Sequence, residues 1–204
     1  MNKSGNVIFC GVGGQGILLA SEITSDALMK AGFDVKRSEV HGMAQRGGSV
    51  IAHLRYGDRV FSPIIEPGRA DIEVSFEMLE ALRYVSLLHP GSRVVVNIQK
   101  IPPLTVSTGN EPYPEGVIDE LKKKDLDVIA VDALEIARSL GEIRAVNMVL
   151  VGVLSHLLPV PEELFLEALH ERVPEKIRTV NVAAFKKGRE AIDTKMETAE
   201  TLRH

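Results

Sequence analysis

The 204-residue chain has one cysteine, no tryptophan and only 4% aromatic residues. A lone Cys10 excludes an intrachain disulfide, a structural zinc site and an iron–sulfur cluster held by this chain, because each takes several ligands. If the chain takes part in redox chemistry, another chain holds the electron carrier. So few aromatic rings leave no base-stacking platform. Excess positive charge is missing as well. The 24 Lys and Arg are outnumbered by 28 Asp and Glu, giving a formal charge of −4, whereas a nucleic-acid footprint needs a basic face. No apolar run approaches the roughly 18 residues of a membrane span. The longest, residues 145–158, is interrupted by Asn147, Ser155 and His156. Residues 1–6 are polar and lead straight into a strand-like run, unlike a secretory leader, so a cytoplasmic location is expected.

What is present is an ordinary globular composition, 45% hydrophobic and 25% charged. The length suits one α/β domain over residues 1–204, with a polar tail at 197–204 expected to fray. Residues 6–10 form a short apolar run that reads as a buried first strand. A glycine cluster follows, then a helix over about 15–31, then a second strand over 33–40, which makes a βαβ unit. Residues 49–56 alternate, Gly57-Asp58 signals a tight turn, and 59–65 is expected to return as a strand, so that an antiparallel hairpin is inserted into the sheet. Alternation then resumes. Strands are expected at 72–76, 93–98 and 127–131, and helices at 77–88, ended by Pro90-Gly91, at 115–124 and from the Asp132 cap to Leu140. Residues 102–114 carry four prolines and read as a long loop. The final third is helical: a nearly apolar, buried helix at 147–158, an amphipathic one at 161–172, and a long one at 176–196. The expected fold is α/β, a Rossmann-like and mostly parallel sheet with an antiparallel insertion and a helical C-terminal third.

Two segments carry the candidate chemistry. Gly11-Val12-Gly13-Gly14-Gln15-Gly16 has G-x-G-x-x-G spacing between a strand and a helix. There Gly11 permits a tight turn, Gly13 lets backbone approach a phosphate, Gly16 allows close helix packing, and the helix N-terminus favours an anion. The same glycines serve equally in a tight turn that holds no nucleotide. The acid expected about 20 residues on, for a ribose, is Glu39, which lies beside Lys36-Arg37. The second segment is Ser38-Glu39-Val40-His41-Gly42-Met43-Ala44-Gln45-Arg46-Gly47-Gly48. Arg46 suits a bidentate clamp on a carboxylate or phosphate, or an ion pair at a surface or subunit boundary. His41 suits a proton carrier near neutral pH, or a hydrogen-bonded structural histidine. Gln45 adds an amide, and Gly42, Gly47 and Gly48 let the backbone come close to another surface. His53 reads as structural, His89 as a residue at a helix end, and Asn147 as a hydrogen bonder across a helix interface.

The pair of motifs resembles the gamma-type domain of the 2-oxoacid:ferredoxin oxidoreductases. Met43-Ala44-Gln45 before Arg46-Gly47-Gly48 is similar to the indolepyruvate branch. The resemblance spans about residues 5–190, including the Asn147 region and Ala183-Ala184-Phe185-Lys186-Lys187-Gly188. It implies a reaction in which an arylpyruvate is decarboxylated on thiamine diphosphate, two electrons pass through iron–sulfur clusters to ferredoxin, and coenzyme A takes the acyl group. It also implies a large alpha subunit that carries thiamine diphosphate, Mg and the 4Fe-4S clusters, with none of these cofactors on this chain alone. His41 and Arg46 are then the expected catalytic contributions to a shared site. Gly11, Gly13, Gly14, Gln15, Gly16, Gly42, Gln45, Gly47 and Gly48 are the expected cofactor-facing positions. No nucleic-acid or membrane partner is expected. The alternatives are an NAD(P)- or flavin-binding oxidoreductase, supported by the glycine spacing; an adenylating enzyme of the ubiquitin-activating type, opposed by the single Cys10; and a purely architectural subunit.

Overall fold

The computed structural model describes residues 4–41 and 48–201, the side chains of His41, Leu104 and residues 193–201 excepted. A six-stranded sheet has the order β2-β3-β1-β4-β5-β6. Its strands are β1 (Gly5–Val12), β2 (Asp34–His41), β3 (Ser49–Gly57), β4 (Ala70–Ser75), β5 (Leu88–Asn97) and β6 (Asp127–Val131). β1 pairs in parallel with β4, β4 with β5, and β5 with β6, whereas β3 runs antiparallel to both its neighbours, β1 and β2. The helices are α1 (Ile17–Lys30), α2 (Met78–Arg83), α3 (Leu104–Ser107), α4 (Val117–Lys122), α5 (Ala133–Ser139), α6 (Val146–Leu157), α7 (Glu162–Arg172) and α8 (Glu175–Thr201).

The pleat divides the core in two. Val7 and Phe9 of β1, with Val74 of β4 and Val95 of β5, face a layer made by α1 and α5–α8. Ile8, Val94 and Val96 face the opposite way, against α2 and α4. Helix α6 has no charged residue in its span Val-Asn-Met-Val-Leu-Val-Gly-Val-Leu-Ser-His-Leu, and its residues from Val146 to Ser155 are buried. Its tightest neighbour is α8. A Cβ on Gly152 would stand 2.0 Å from the Phe185 carbonyl oxygen, and one on Gly188 would stand 2.0 Å from that of Val149. The two helices therefore touch backbone to backbone, which explains the small residues around Phe185. The Asp132 side chain caps α5 by accepting from the Glu135 amide at 3.0 Å, as the sequence predicts.

Five expectations need correction. The β1–α1–β2 crossover exists, but β2 does not lie beside β1, because β3 occupies that place. Residues 59–65 form no strand. The antiparallel hairpin is β2–β3, and both edges of β3 are already paired, so a return strand has no edge to join. The helix expected over 77–88 stops at Arg83 and gives way to a 3-10 turn at Val85–Leu87, while Pro90 and Gly91 fall inside β5. The proline-rich stretch 102–114 is not wholly irregular. Pro103 opens the single turn α3, its carbonyl accepting from Val106 and Ser107. Helix α8 continues to Thr201 rather than ending near residue 196. Among the described residues no helix is long and apolar enough to cross a membrane.

Candidate functional site

The chain leaves β1 for α1 on one face of the sheet and leaves β4 for α2 on the other. The crevice between the carboxyl ends of β1 and β4 is therefore the point at which the winding reverses, where open α/β sheets bind ligands. The glycine turn follows β1 and borders it. Gly48, the described end of the second motif, leads into Ser49, which pairs with Val12 at the same end of β1.

In the glycine turn the left-handed residues are Gly14, at φ 104°, and Gly16, at φ 80°. Gly14 faces open space, but a Cβ on Gly16 would lie 2.5 Å from Asn147 Nδ2. Asn147 thus bears on this turn from α6, across a helix interface as expected. A Cβ on Gly11 would meet Phe76 Cβ at 2.7 Å and Gln15 Oε1 at 2.8 Å. The Gly13 amide donates to the Gly48 carbonyl at 2.8 Å, so the two motifs are joined directly. Gln15 spans the crevice. Its Oε1 accepts from the Val12 amide at 2.8 Å, and its Nε2 donates to the Phe76 carbonyl at 2.9 Å.

Below the rim lies a group of buried carboxyls that the sequence analysis did not single out: Glu73, Glu77 and Glu80. Glu77 caps α2 by accepting from the Glu80 amide at 3.0 Å, and its other oxygen accepts from the Ile101 amide at 3.0 Å and from the Tyr113 hydroxyl. Glu80 accepts from Arg83 Nε at 3.0 Å and from the Ser49 hydroxyl. The Cys10 thiol donates to Glu73 Oε1 at 3.3 Å. Burial, with the nearby Glu73 carboxylate second, pushes the thiol well up, so Cys10 is an inert thiol rather than a ligand or nucleophile. Burial likewise pushes Glu73 up to about 8. Its Oε2 has no hydrogen-bond partner among the described groups. A sequence signal for these residues existed. Ile72-Glu73-Val74 places an acid inside an apolar strand, and Glu77-x-x-Glu80 has the spacing of a helix cap.

The remaining expected positions fall as follows. The His41 backbone ends β2 opposite Val50, and Gly48 stands at the foot of β3. Gly42, Gln45, Arg46 and Gly47 lie outside the described residues, as does the His41 side chain. Glu39 pairs with Arg37 on the same strand, and β3 holds β2 roughly 10 Å away from β1, two strand spacings. The acid is therefore displaced from the place where a dinucleotide fold holds a ribose. His53 is buried and accepts the Ile65 amide at Nδ1, 3.2 Å away, a structural role. His89 lies in β5 rather than at a helix end, with Nε2 3.4 Å from Asp71 Oδ1.

Comparison with known proteins places this geometry. Residues 6–191 match the family described as pyruvate ferredoxin/flavodoxin oxidoreductase. The indolepyruvate oxidoreductase subunit IorB of Thermococcus kodakarensis is 42% identical over 193 residues, covering 91% of this chain and 95% of that protein. The gamma subunit of a keto/oxoacid ferredoxin oxidoreductase from Geobacter sulfurreducens superposes with a TM-score of 0.69 at 23% identity, over 91% of this chain and 96% of that one. A 2-oxoglutarate:ferredoxin oxidoreductase from Magnetococcus marinus, whose structure contains 2-oxoglutarate, coenzyme A and succinyl-CoA, superposes with a TM-score of 0.74 at 20% identity. That match takes 95% of this chain but only 32% of the other. The same fold thus occurs both as a separate chain and as about a third of a longer one. The chain belongs to the pyruvate ferredoxin/flavodoxin oxidoreductase family.

Proposed function

We propose that this chain is the small subunit of a cytoplasmic 2-oxoacid:ferredoxin oxidoreductase of the indolepyruvate type, completing an active site built mostly on a larger partner subunit. The observation that carries this reading is the state of Cys10. The one thiol in the chain is buried and bonded to Glu73, so no ligand set for an iron–sulfur cluster exists here. Thiamine diphosphate does not fit either. The one Gly-Asp pair, Gly57-Asp58, lies where antiparallel β3 ends, at the opposite end of the strands from the rim that carries the glycine turn and Gly48. The 4Fe-4S clusters, thiamine diphosphate and Mg of such an enzyme accordingly belong to the large subunit, with coenzyme A as co-substrate and ferredoxin as electron acceptor.

This chain's own contribution is the rim. Arg46 binds the carboxylate of the 2-oxoacid or a phosphate, His41 holds a proton beside it, and Gln45 supplies an amide. Gly42, Gly47 and Gly48 let that backbone approach the partner, and Gly11, Gly13, Gly14, Gln15 and Gly16 form the surface behind it. The bond between Gly13 and Gly48 supports the grouping, because it ties the described end of the second motif to the first. A dinucleotide site is disfavoured by Gln15 across the crevice and by the Arg37–Glu39 pair. The test is Arg46→Ala and His41→Ala in the assembled complex. A charge-assisted hydrogen bond is worth about 1.5–3 kcal/mol, so kcat/KM for arylpyruvate should fall about ten- to a hundredfold with iron content unchanged. Full kcat/KM in both variants would make the loop architectural.

A further inference from the structure

We propose that Glu80 is a positioning residue for the shared site: through Ser49 it holds the Gly48 carbonyl on the Gly13 amide and so fixes the two motifs in one geometry. The proposal rests on the reading of this rim as part of a shared active site. Glu80 sits on α2, at 4% exposure, on the face of the sheet away from α1. Apolar Met78 and Ala81 would suffice to pack α2 there, and a buried carboxylate is costly unless its oxygens are bonded. Both oxygens of Glu80 are used. Oε1 accepts from Arg83 Nε, and Oε2 accepts from the Ser49 hydroxyl. Ser49 has a single proton and gives it to Glu80. Tyr84, whose hydroxyl lies 2.8 Å from Ser49 Oγ, must then be the donor to Ser49. The result is a directed chain from Tyr84 through Ser49 to Glu80, ending on a charged acceptor, the stronger class of hydrogen bond.

The position of Ser49 gives this chain its consequence. Ser49 is the first residue of β3 and stands opposite Val12, the last residue of β1. The next residue outward on each strand is Gly48 and Gly13, which are bonded to each other. Ser49 is therefore the side-chain anchor directly beside the bond that joins the two motifs. The side chain that holds it comes from α2, which starts at the end of β4 on the other side of the crevice. A displacement of about 1 Å in groups that orient a reacting substrate can cost on the order of a hundredfold in rate, so an anchor at this point acts on turnover without touching substrate.

The experiment uses the reconstituted complex of this chain with its large subunit, carrying wild-type chain, Ser49→Ala, Ser49→Thr, Glu80→Ala or Ser49→Ala/Glu80→Ala. The Gly13 amide is followed in parallel by hydrogen exchange. Ser49→Ala should assemble, lower kcat/KM for the 2-oxoacid about tenfold, and lower protection of the Gly13 amide. Ser49→Thr, which keeps the hydroxyl, should restore both within about twofold. The double variant should be no worse than the worse single one, because residues that act through one another are not additive. Independent, multiplying losses, an unchanged Gly13 amide in Ser49→Ala, or failure of Ser49→Ala to assemble would overturn the proposal. The two readings separate cleanly. A wild-type complex no more active than the large subunit alone defeats the shared site, whereas the Gly13 amide tests the anchor without any activity.

Discussion

The amide of Gly13 donates to the carbonyl of Gly48 at 2.8 Å, and this one bond joins the two motifs through residues 35 positions apart in the chain. The glycine turn is therefore held by Gly48 at Gly13, by the Gln15 side chain across the crevice and by Asn147 from α6, while Gly14 faces open space.

A first prediction separates conformation from contact within that turn. Gly14→Ala meets only the strain of a left-handed backbone and should cost about 1–2 kcal/mol in urea unfolding. Gly16→Ala meets the same strain and must also displace Asn147, since its Cβ would lie 2.5 Å from Nδ2. An overpacked site adds about 1–3 kcal/mol, so Gly16→Ala should be clearly the worse of the two. Equal losses would show that Asn147 does not constrain the turn.

The second prediction concerns pH. Glu73 is pushed up to about 8 by burial, above its ordinary value of 4.5 in the unfolded chain. Between those values the folded state binds the extra proton, so stability falls as pH rises from about 4.5 to about 8. The shift corresponds to a penalty on the order of 5 kcal/mol once both forms are ionised. Glu73→Gln keeps the shape and removes the ionisation. Its unfolding free energy should exceed that of the native chain at pH 8 and approach it near pH 5. Parallel pH profiles for the two proteins would contradict a protonated Glu73.

The third concerns the scaffold behind Asn147. Gly152→Ala and Gly188→Ala each place a Cβ 2.0 Å from a backbone oxygen of the opposing helix. A backbone cannot step aside as a flexible side chain can, so α6 and α8 must separate. Each variant should lose about 3 kcal/mol or more, at the upper end of overpacking, and should melt well below Gly14→Ala. Melting temperatures equal to that of the native chain would mean that the helices are not in backbone contact.

Much of this architecture was legible in the sequence because the signals were local. A short apolar run followed by glycines gave β1 and its turn, Asp132 gave the α5 cap, and a nearly apolar stretch gave the buried helix α6. The misplaced elements depended on distant partners. Gly57-Asp58 resembles a hairpin turn locally, but the pairing of β3 with both β1 and β2 leaves no edge for a returning strand. Pro90-Gly91 resembles a helix stop, yet the Gly91 amide bonds to the Asp125 carbonyl at the start of β5. The motifs themselves were visible, but the bond between Gly13 and Gly48 was not, and the acid inside the apolar run Ile72-Glu73-Val74 was a signal that went unread. Glu77 and Glu80 read as ordinary helix acids until α2 is seen to bury them. At His41 and at 42–47 the sequence remains the sole source for the proposed site, since that side chain and those residues lie outside the described part of the structure.

Reconstitution tests the central claim most directly. The purified chain, the large subunit and their mixture are assayed for iron content, visible absorbance and arylpyruvate-dependent dye reduction in the presence of coenzyme A. With one buried thiol, the chain alone should be colourless, free of iron and inactive, and adding it to the large subunit should bring turnover up from a low baseline. Turnover by this chain alone, or full activity of the large subunit without it, would contradict the account.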